Sequence, residues 1–297
     1  MTAILHSRAL GKRYRQRWAL SDCTLQIPEG RVVGLVGPNG AGKTTLLHLA
    51  TGLLAPTSGT IEVLGQVPAA SPAQLAKVGF VAQDTPTYPS LTVADHLTLG
   101  AHMNPHWDGD LASHRIRQLR LDLRQKAGRL SGGQRAQLAL TLALAKRPEL
   151  LILDEPVASL DPLARREFLQ VLTEVTAEQE LSIVLSSHLV SDLERVCDYL
   201  IVLAGSRVQV AGSVDELQAS HYQLTGPRND HAALPASWLV IADNHTDGQR
   251  TLVVRTDRRV IDPAWTTSPI AMEDLVLAYM SQAALAAGRQ PLLEAQS

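Results

Sequence analysis

The chain has 297 residues, of which 45% are hydrophobic, and this size suits one large domain or two modest domains with a real core. Its formal net charge is −2, whereas proteins that bind nucleic acid usually have an excess of basic residues, so nucleic acid is not expected as a partner. The two cysteines, Cys23 and Cys197, are too few for a disulfide framework and fit a reducing cytoplasm.

Neither a secretory signal nor a membrane span is predicted. The first eleven residues lack a basic region followed by an apolar one. No stretch reaches the ~18 uninterrupted apolar residues that a membrane span needs. We therefore expect a soluble cytoplasmic protein that reaches a membrane only by docking on a membrane protein.

Short apolar runs, the pattern of buried strands, alternate with helical segments over residues 1–220. The predicted strands cover 4–5, 20–27, 31–36, 59–64, 78–82, 150–153, 182–186, 199–203 and 207–210. The predicted helices cover 43–51, most of 84–130 with a break at Asn104-Pro105, 132–146, 162–177 and a stretch that ends at Arg195. This alternation predicts an α/β domain with a mainly parallel sheet.

The character of the sequence changes over residues 221–297. Strands are predicted at 238–242 and 251–255, and an amphipathic helix at 272–284. We expect a small C-terminal α+β domain appended to the first domain, with frayed residues at 290–297.

Residues 37–44 match the pattern G-x-x-x-x-G-K-[ST] between a predicted strand and a helix, the context that this phosphate-binding motif requires. Its glycines let backbone N–H groups surround an anion, and the helix directs its positive end at the phosphates. Lys43 is expected to reach the β and γ phosphates, Thr44 to bind Mg²⁺ and Thr45 to help at the γ phosphate. The predicted nucleotide-binding residues of this loop are Gly37, Pro38, Asn39, Gly40, Ala41, Gly42, Lys43, Thr44 and Thr45.

An apolar strand at residues 150–153 is followed by two carboxylates, Asp154 and Glu155. The strand places them at the carboxyl edge of the sheet, beside the phosphates. Asp154 is expected to hold Mg²⁺, directly or through water, and Glu155 to polarise the attacking water as general base. An acidic strand end that only caps the next turn is the structural alternative, which the phosphate-binding loop disfavours.

A second anion-binding helix start is predicted at Leu-Ser-Gly-Gly-Gln, residues 130–134. One chain rarely needs two such cradles for a single nucleotide. Two chains arranged head to tail would use both, with each nucleotide between the loop at Lys43 of one chain and Ser131 of the other. Taken alone, an ordinary N-cap explains the same residues. The predicted binding residues here are Ser131, Gly132, Gly133 and Gln134.

With these motifs in this order, the sequence closely resembles the ABC ATPase family over roughly residues 3–220. The resemblance implies a Mg²⁺ or water contact for Gln83, which follows a predicted strand, and a catalytic contact between His188 and the γ phosphate. It places Asp161 in the loop that crosses to the other subunit. Tyr14 matches the aromatic residue on which adenine stacks, and it is preferred over the nearby Trp18.

The resemblance implies the family's P-loop NTPase fold, with a mainly parallel sheet core, an antiparallel β subdomain and a helical subdomain. It implies ATP and Mg²⁺ as cofactors, and as partners a second ATPase subunit and separate transmembrane permease subunits on the inner face of the cell membrane. The expected function is ATP hydrolysis that powers transport. Residues 272–277 resemble the C-terminal segment of exporter-type ATPases, which favours export, although an amphipathic packing helix explains the same spacing.

Two other functions are weighed against transport. A soluble ABC ATPase of translation would carry two cassettes, and one of DNA repair would insert a long coiled coil between Lys43 and Asp154, where the span is too short. A P-loop kinase would have no use for residues 130–134.

The sequence departs from the family pattern after residues 130–134. Gln137 and Thr141 stand where the family usually has arginine and alanine, and the span from Gln83 to Ser131 is somewhat short. A basic run precedes these residues, and it is interpreted as a solvated helix face. It comprises Arg115, Arg117, Arg120, Arg124, Lys126 and Arg129.

Overall fold

The computed structural model describes residues 3–85, 87–178, 180–228, 234–246, 248–258 and 262–288. Its centre is a six-stranded sheet with the order β5-β6-β7-β3-β8-β9. These strands are β3 (Val32–Val36), β5 (Val78–Val81), β6 (Leu150–Asp154), β7 (Ser182–Ser187), β8 (Tyr199–Ala204) and β9 (Arg207–Ser213). The first five strands in this order are parallel and β9 pairs with β8 antiparallel, which confirms the predicted mainly parallel sheet.

The central strands are buried because both faces of the sheet are covered, as is usual for parallel sheets. Every residue of β3, β6 and β7 is buried. Alternate residues belong to two separate cores: Ile152 and Val184 to one, Leu153 and Leu185 to the other. This period of two assigns Asp154 to the same face as Ile152.

A three-stranded antiparallel sheet covers one face, as the family resemblance implied. Its order is β2-β1-β4, formed by β1 (Ala3–Tyr14), β2 (Arg17–Pro28) and β4 (Ser58–Val63). The predicted strands at 4–5 and 20–27 were too short. β1 is hydrogen-bonded on both edges, so its pairing continues past the apolar run and through a bulge near Ala9.

Eight α-helices lie within the described part of the first 220 residues. They are α1 (Lys43–Ala50), α2 (Pro72–Ala76), α3 (Val93–Met103), α4 (Gly109–Gln118), α5 (Gly132–Ala145), α6 (Pro162–Glu178), α7 (Val190–Leu193) and α8 (Val214–Ser220). α1 packs on the same face as the antiparallel sheet, whereas α5, α6, α7 and α8 pack on the other face. α3, α4 and α5 share a small core of their own. The break predicted at Asn104-Pro105 is confirmed, because Asn104 ends α3.

The helical prediction over 84–130 was wrong for residues 87–92 and 119–126. These two segments run beside each other and exchange backbone hydrogen bonds. The Val93 amide donates to Gln125, and the Ala127 amide donates to Leu91 at 2.9 Å. A local helical pattern is overridden here because each segment satisfies its backbone groups on the other.

The solvated helix face predicted for the basic run was wrong for Arg115, which is 7% exposed. Its guanidinium donates to the Thr141 hydroxyl at 3.2 Å and to the Gln137 side-chain oxygen at 3.4 Å. An arginine from α4 therefore packs against the two positions of α5 at which the sequence departs from the family pattern. Burial lowers the pKa of Arg115. The guanidinium nevertheless stays charged, because arginine side chains are effectively always protonated in proteins.

The C-terminal part forms a four-stranded antiparallel sheet of order β11-β12-β10-β13, followed by α9 (Met272–Ala286). Its strands are β10 (His221–Pro227), β11 (Leu239–His245), β12 (Gln249–Arg255) and β13 (Thr266–Pro269), of which β10 and β13 were not predicted. Residues 290–297, expected to be frayed, lie outside the described residues.

The strands before residue 221 and those from residue 221 onward belong to different sheets, yet one hydrophobic core contains residues from both parts of the chain. Leu275 and Val276 of α9 belong to the same core as Leu200 and Val202 of β8. Among the helices that the structure describes, none has the length and apolar character to cross a bilayer.

Candidate nucleotide-binding site

The loop after β3 builds an anion cradle at the carboxyl edge of the central sheet. Gly42 precedes α1 with φ 109°, and a Cβ there would lie 2.4 Å from the Ala19 carbonyl oxygen, so only glycine fits. Among the residues that the structure describes, no side chain caps this helix start, so its first N–H groups stay available at the loop. Lys43 is only 5% exposed, and its ammonium donates to the Gly37 carbonyl at 2.8 Å.

A cavity of about 520 Å³ opens over this loop. It brings together residues from β1, the phosphate-binding loop, the segment after β5 and the end of β6. Of the predicted residues, it is lined by Tyr14, Asn39, Gly40, Gly42, Lys43, Thr44, Thr45, Gln83 and Glu155. Pro38 and Ala41 belong to the same loop, where the Ala41 amide donates to the Pro38 carbonyl at 3.1 Å.

Two aromatic side chains lie at one end of the cavity. Tyr14 and Trp18 both line it, and both are partly exposed, so either ring is available to stack on a base. Each ring also carries a cation: Lys12 lies 5.6 Å from the Tyr14 centroid and Arg13 lies 5.4 Å from the Trp18 centroid. The structure leaves the preference for Tyr14 over Trp18 open.

The two carboxylates after β6 have different partners. Glu155 faces the cavity, with its oxygens 3.3 Å from the Lys43 ammonium and 3.1 Å from His188 Nδ1. Asp154 is 1% exposed and accepts a 2.7 Å hydrogen bond from Ser186. The structure therefore brings Lys43, Glu155 and His188 together from three distant parts of the chain.

Ser186 was missed by the sequence analysis. Its hydroxyl contacts both acidic residues, since it donates to Asp154 and accepts from the Glu155 amide at 2.8 Å. The available signal was a serine at the end of an apolar strand, two residues before His188.

The residues predicted at 131–134 lie in another cavity. Ser131 begins α5 with a capping box: its Oγ accepts from the Gln134 amide, and the Gln134 side chain accepts from the Ser131 amide. The Ser131 hydroxyl proton stays available to another acceptor, because a hydroxyl both accepts and donates. Gly132 is the first residue of this helix.

This second cavity, of about 230 Å³, also includes the predicted Asp161. Asp161 accepts hydrogen bonds from the amides of Leu163 and Ala164 at the start of α6. The cavity is lined in part by Ser131, Gly133, Gln134 and Asp161, whereas none of these residues lines the cavity over Lys43.

Comparison with known proteins identifies the family. Residues 20–158 match the sequence profile of the ABC transporter family. The ABC transporter ATP-binding protein YxlF of Bacillus subtilis is 32% identical over 225 residues, which cover 72% of each chain. The chain belongs to the ABC transporter family, as an ATP-binding subunit.

Further relatives include one protein named for import and one named for export. The thiamine import ATP-binding protein ThiQ of Salmonella choleraesuis is 35% identical over 68% of this chain and 90% of that protein. The Nod factor export ATP-binding protein I of Cupriavidus pinatubonensis is 36% identical over 73% of this chain and 68% of that protein.

Solved structures show the same fold. A structure described as the ATP-binding subunit of an ABC transporter superposes with a TM-score of 0.65 and 29% identity, over 72% of this chain and 92% of that one. A dimeric ATP-binding cassette with ADP and Pi superposes with a TM-score of 0.63 at 24% identity, over 71% and 98%. These likenesses confirm the predicted P-loop NTPase fold of the family.

The residues of this ABC subunit fit the cofactors that the family implies. The glycine turn, the uncapped start of α1 and Lys43 suit a triphosphate. Thr44, Gln83 and Asp154 offer hydroxyl, amide and carboxylate oxygens, the ligand types that Mg²⁺ prefers.

A larger groove of about 800 Å³ separates α2 from α3 and α5 in this ABC subunit. Its lining is mostly apolar and includes Leu75, Tyr88, Met103 and Trp107. Tyr88 and Met103 expose more than half of their surface, which is unusual for large apolar side chains that share one groove. Tyr88 of this groove lies five residues after Gln83, which lines the nucleotide cavity.

Proposed function

We propose that this chain hydrolyses ATP, with Mg²⁺ held by Thr44, Gln83 and Asp154, and that the reaction powers transport through separate membrane subunits. One observation carries the proposal: the Glu155 carboxylate, which lines the cavity over the anion cradle, contacts both the Lys43 ammonium and the His188 ring. A phosphate-binding lysine, a carboxylate that can act as general base and an imidazole that can donate a hydrogen bond are groups that promote phosphoryl transfer to water.

Each residue has a distinct role in the proposed reaction. Lys43 binds the β and γ phosphates and exchanges its contact with Glu155 for phosphate oxygens. Glu155 orients the attacking water in line with the γ phosphate and takes up its proton. Without nucleotide, His188 holds Glu155 in place through the contact at 3.1 Å; with ATP bound, its ring N–H donates to the γ phosphate instead. Magnesium, when bound, would neutralise charge on the phosphate oxygens.

A second copy of the ATPase domain completes the site in this proposal. The helix start at Ser131 and the Asp161 loop share one cavity, separate from the cavity over Lys43. Head-to-tail pairing would place the Ser131 hydroxyl and the first N–H groups of α5 opposite the phosphates of the partner. The partner is an identical chain or a related ATPase subunit.

The groove at Tyr88 and Met103 is the proposed docking site of the permease. It offers apolar side chains to a short helix of a membrane subunit, which would hold the protein at the cytoplasmic face of the membrane. In this proposal, the membrane subunit and the nucleotide are coupled through the region around Gln83 and through residues 88–97. We propose export as the direction, on the strength of residues 272–277; uptake of the substrate into inside-out vesicles tests it.

The Glu155→Gln variant tests the proposed hydrolysis. The amide keeps the size of the side chain but cannot take up a proton, so turnover should fall by about 10²-fold or more while ATP still binds. Phosphate release and the affinity for a fluorescent ATP analogue are measured together. Glu174→Gln, an exposed glutamate of α6 that pairs with Gln170, is the control. Unchanged phosphate release in Glu155→Gln would remove Glu155 from its proposed role.

A further inference from the structure

Ser186 lies next to the first of the two proposed active-site carboxylates. In the parallel pairing of β6 with β7, the backbone of Ser186 is directly opposite Asp154, and Ser186 pairs with Leu35 of β3 on its other side. Asp154 and Ser186 share strand parity with Ile152 and Val184, which pack in the same core as α1. The hydroxyl is therefore directed to the face that carries the phosphate-binding loop.

The hydrogen bonds of Ser186 have a fixed direction. The Glu155 amide can only donate, so the Ser186 oxygen accepts there, at 2.8 Å. The single hydroxyl proton is then left for Asp154 Oδ1, at 2.7 Å, and a carboxylate accepts it. Ser186 is 0% exposed, so water does not compete for either bond.

The bond to the Glu155 amide also holds a strained backbone. Glu155 has φ 44°, in the left-handed region that residues other than glycine rarely adopt. Such a conformation persists only where its surroundings enforce it, and it is common at active sites. The turn at Glu155 leads the chain out of β6 and directs the carboxylate to Lys43 and His188.

We propose that Ser186 is a positioning residue for the reaction. Through one hydroxyl it orients Asp154, so that its other oxygen is presented to the metal, and it fixes the backbone turn that aims Glu155 at the attacking water. This inference rests on the proposed roles of Asp154 and Glu155. Ser186 would contact a metal ligand rather than the metal itself. Substitution of such a residue typically lowers metal affinity or activity about 10–100-fold.

The same strand supplies a matched control in Ser182. Its side chain is 1% exposed, and its oxygen accepts from the Gly30 amide at 2.9 Å. It lies at the amino end of β7, away from the carboxylates. Ser182→Ala and Ser186→Ala thus each remove one buried hydroxyl and one backbone contact, but only Ser186→Ala changes the active site.

The test compares kinetics with metal-dependent binding in the purified full chain. Ser186→Ala should lower kcat about 10–100-fold and should raise KM for MgATP by the amount of Mg²⁺-dependent binding that is lost. Affinity for a non-hydrolysable ATP analogue, measured by calorimetry, should be normal in EDTA and should lose most of its enhancement by Mg²⁺. Ser182→Ala should leave kcat, KM and the enhancement by Mg²⁺ unchanged.

A less than twofold change in kcat with a normal effect of Mg²⁺ would overturn the proposal, provided that wild-type protein hydrolyses ATP. Absence of hydrolysis in wild-type protein would instead overturn the proposed function. If Ser186→Ala does not fold, Ser186→Thr and Ser186→Cys replace it. Threonine keeps the hydroxyl and should retain activity, whereas cysteine keeps the volume with a weak donor and should not. Equal activity of these two variants would also overturn the proposal.

Discussion

Individual side chains at the nucleotide cavity have more than one partner, and this limits how each can be tested. Lys43 contacts both the Gly37 carbonyl and the Glu155 carboxylate. Glu155 in turn contacts His188. Removal of one member leaves a buried partner without its contact, so variants at this site affect both binding and local stability.

Lys43→Ala should weaken ATP binding by about tenfold to a hundredfold, because hydrogen bonds to charged groups contribute roughly 1.5–3 kcal/mol. The measurement is a titration with a fluorescent ATP analogue. Lys126→Ala removes an exposed lysine elsewhere in the chain and should leave the affinity unchanged. Normal affinity of Lys43→Ala would contradict the proposed phosphate cradle.

Secondary-structure elements near the site are held by caps and by contacts between distant segments. Asp108 begins α4 by accepting from the Leu111 amide at 2.7 Å, and it also accepts from Arg147, just beyond α5. Two hydrogen bonds hold the pKa of Asp108 below its usual value: the larger effect comes from the Leu111 amide and the smaller from the Arg147 guanidinium. This aspartate therefore fastens α4 to the end of the helix that starts at Ser131.

Asp108→Ala should lower the free energy of unfolding by about 1 kcal/mol at pH 7, a typical effect for a lost N-cap. Asp108→Asn keeps a good capping residue and should retain most of that stability. Urea unfolding at pH 7 and again near pH 3 separates the two effects. Because the pKa is depressed in the folded state, the charge contributes stability above the unfolded pKa and the contribution is lost as the pH falls. Equal stability of wild type and Asp108→Ala would show that the cap is dispensable.

At the scale of the whole molecule, the C-terminal sheet and α9 join the rest of the ATP-binding subunit through a polar contact within the core. His221 is fully buried. Its Nδ1 donates to the Leu217 carbonyl at 2.7 Å, and its Nε2 accepts from the Tyr279 hydroxyl of α9 at 2.9 Å. Burial raises the pKa of Tyr279, and Arg255 on β12 partly offsets that rise. The division into domains at residues 1–220 and 221–297 stays a prediction, since the core continues across it.

This contact predicts a pH dependence of stability. Burial lowers the pKa of His221, and Arg255 adds a smaller effect of the same sign. The unfolded chain therefore binds a proton more readily, so stability should decrease as the pH falls through the unfolded value of about 6.5. Thermal unfolding at pH 7.5 and 5.5 should show a lower midpoint at pH 5.5. His221→Gln should reduce that difference, and an unchanged difference would exclude His221 as its source.

Pairing of two chains predicts complementation between defective variants. Lys43→Ala and Ser131→Arg should each be nearly inactive alone. Mixed in equal amounts, about half of the dimers contain both variants, and each has one intact site, so phosphate release should recover to roughly a quarter of wild type. No recovery, with mixed dimers demonstrated by a tag, would argue against sites shared between chains.

Local patterns in the sequence determined the chemistry of this protein. Three features depend only on neighbours within a few residues: the spacing of residues 37–44, the two carboxylates after an apolar strand, and the cap at Ser131. The strands and helices next to them were therefore predicted from the sequence. Helix and strand preferences and anion-binding turns are short-range properties, so they predicted the mainly parallel sheet and the phosphate-binding loop, whereas the order of the motifs carried the resemblance to the family.

Only the tertiary structure decided which distant groups meet. The contacts of Glu155 with Lys43 and with His188, the pairing of Ser186 with Asp154 and the contact of Arg115 with Thr141 all join segments that lie far apart along the chain. They depend on strand order and register, which local patterns do not specify. The same reason explains β10 and β13: their residues gain a strand conformation from neighbours in the sheet rather than from their own sequence.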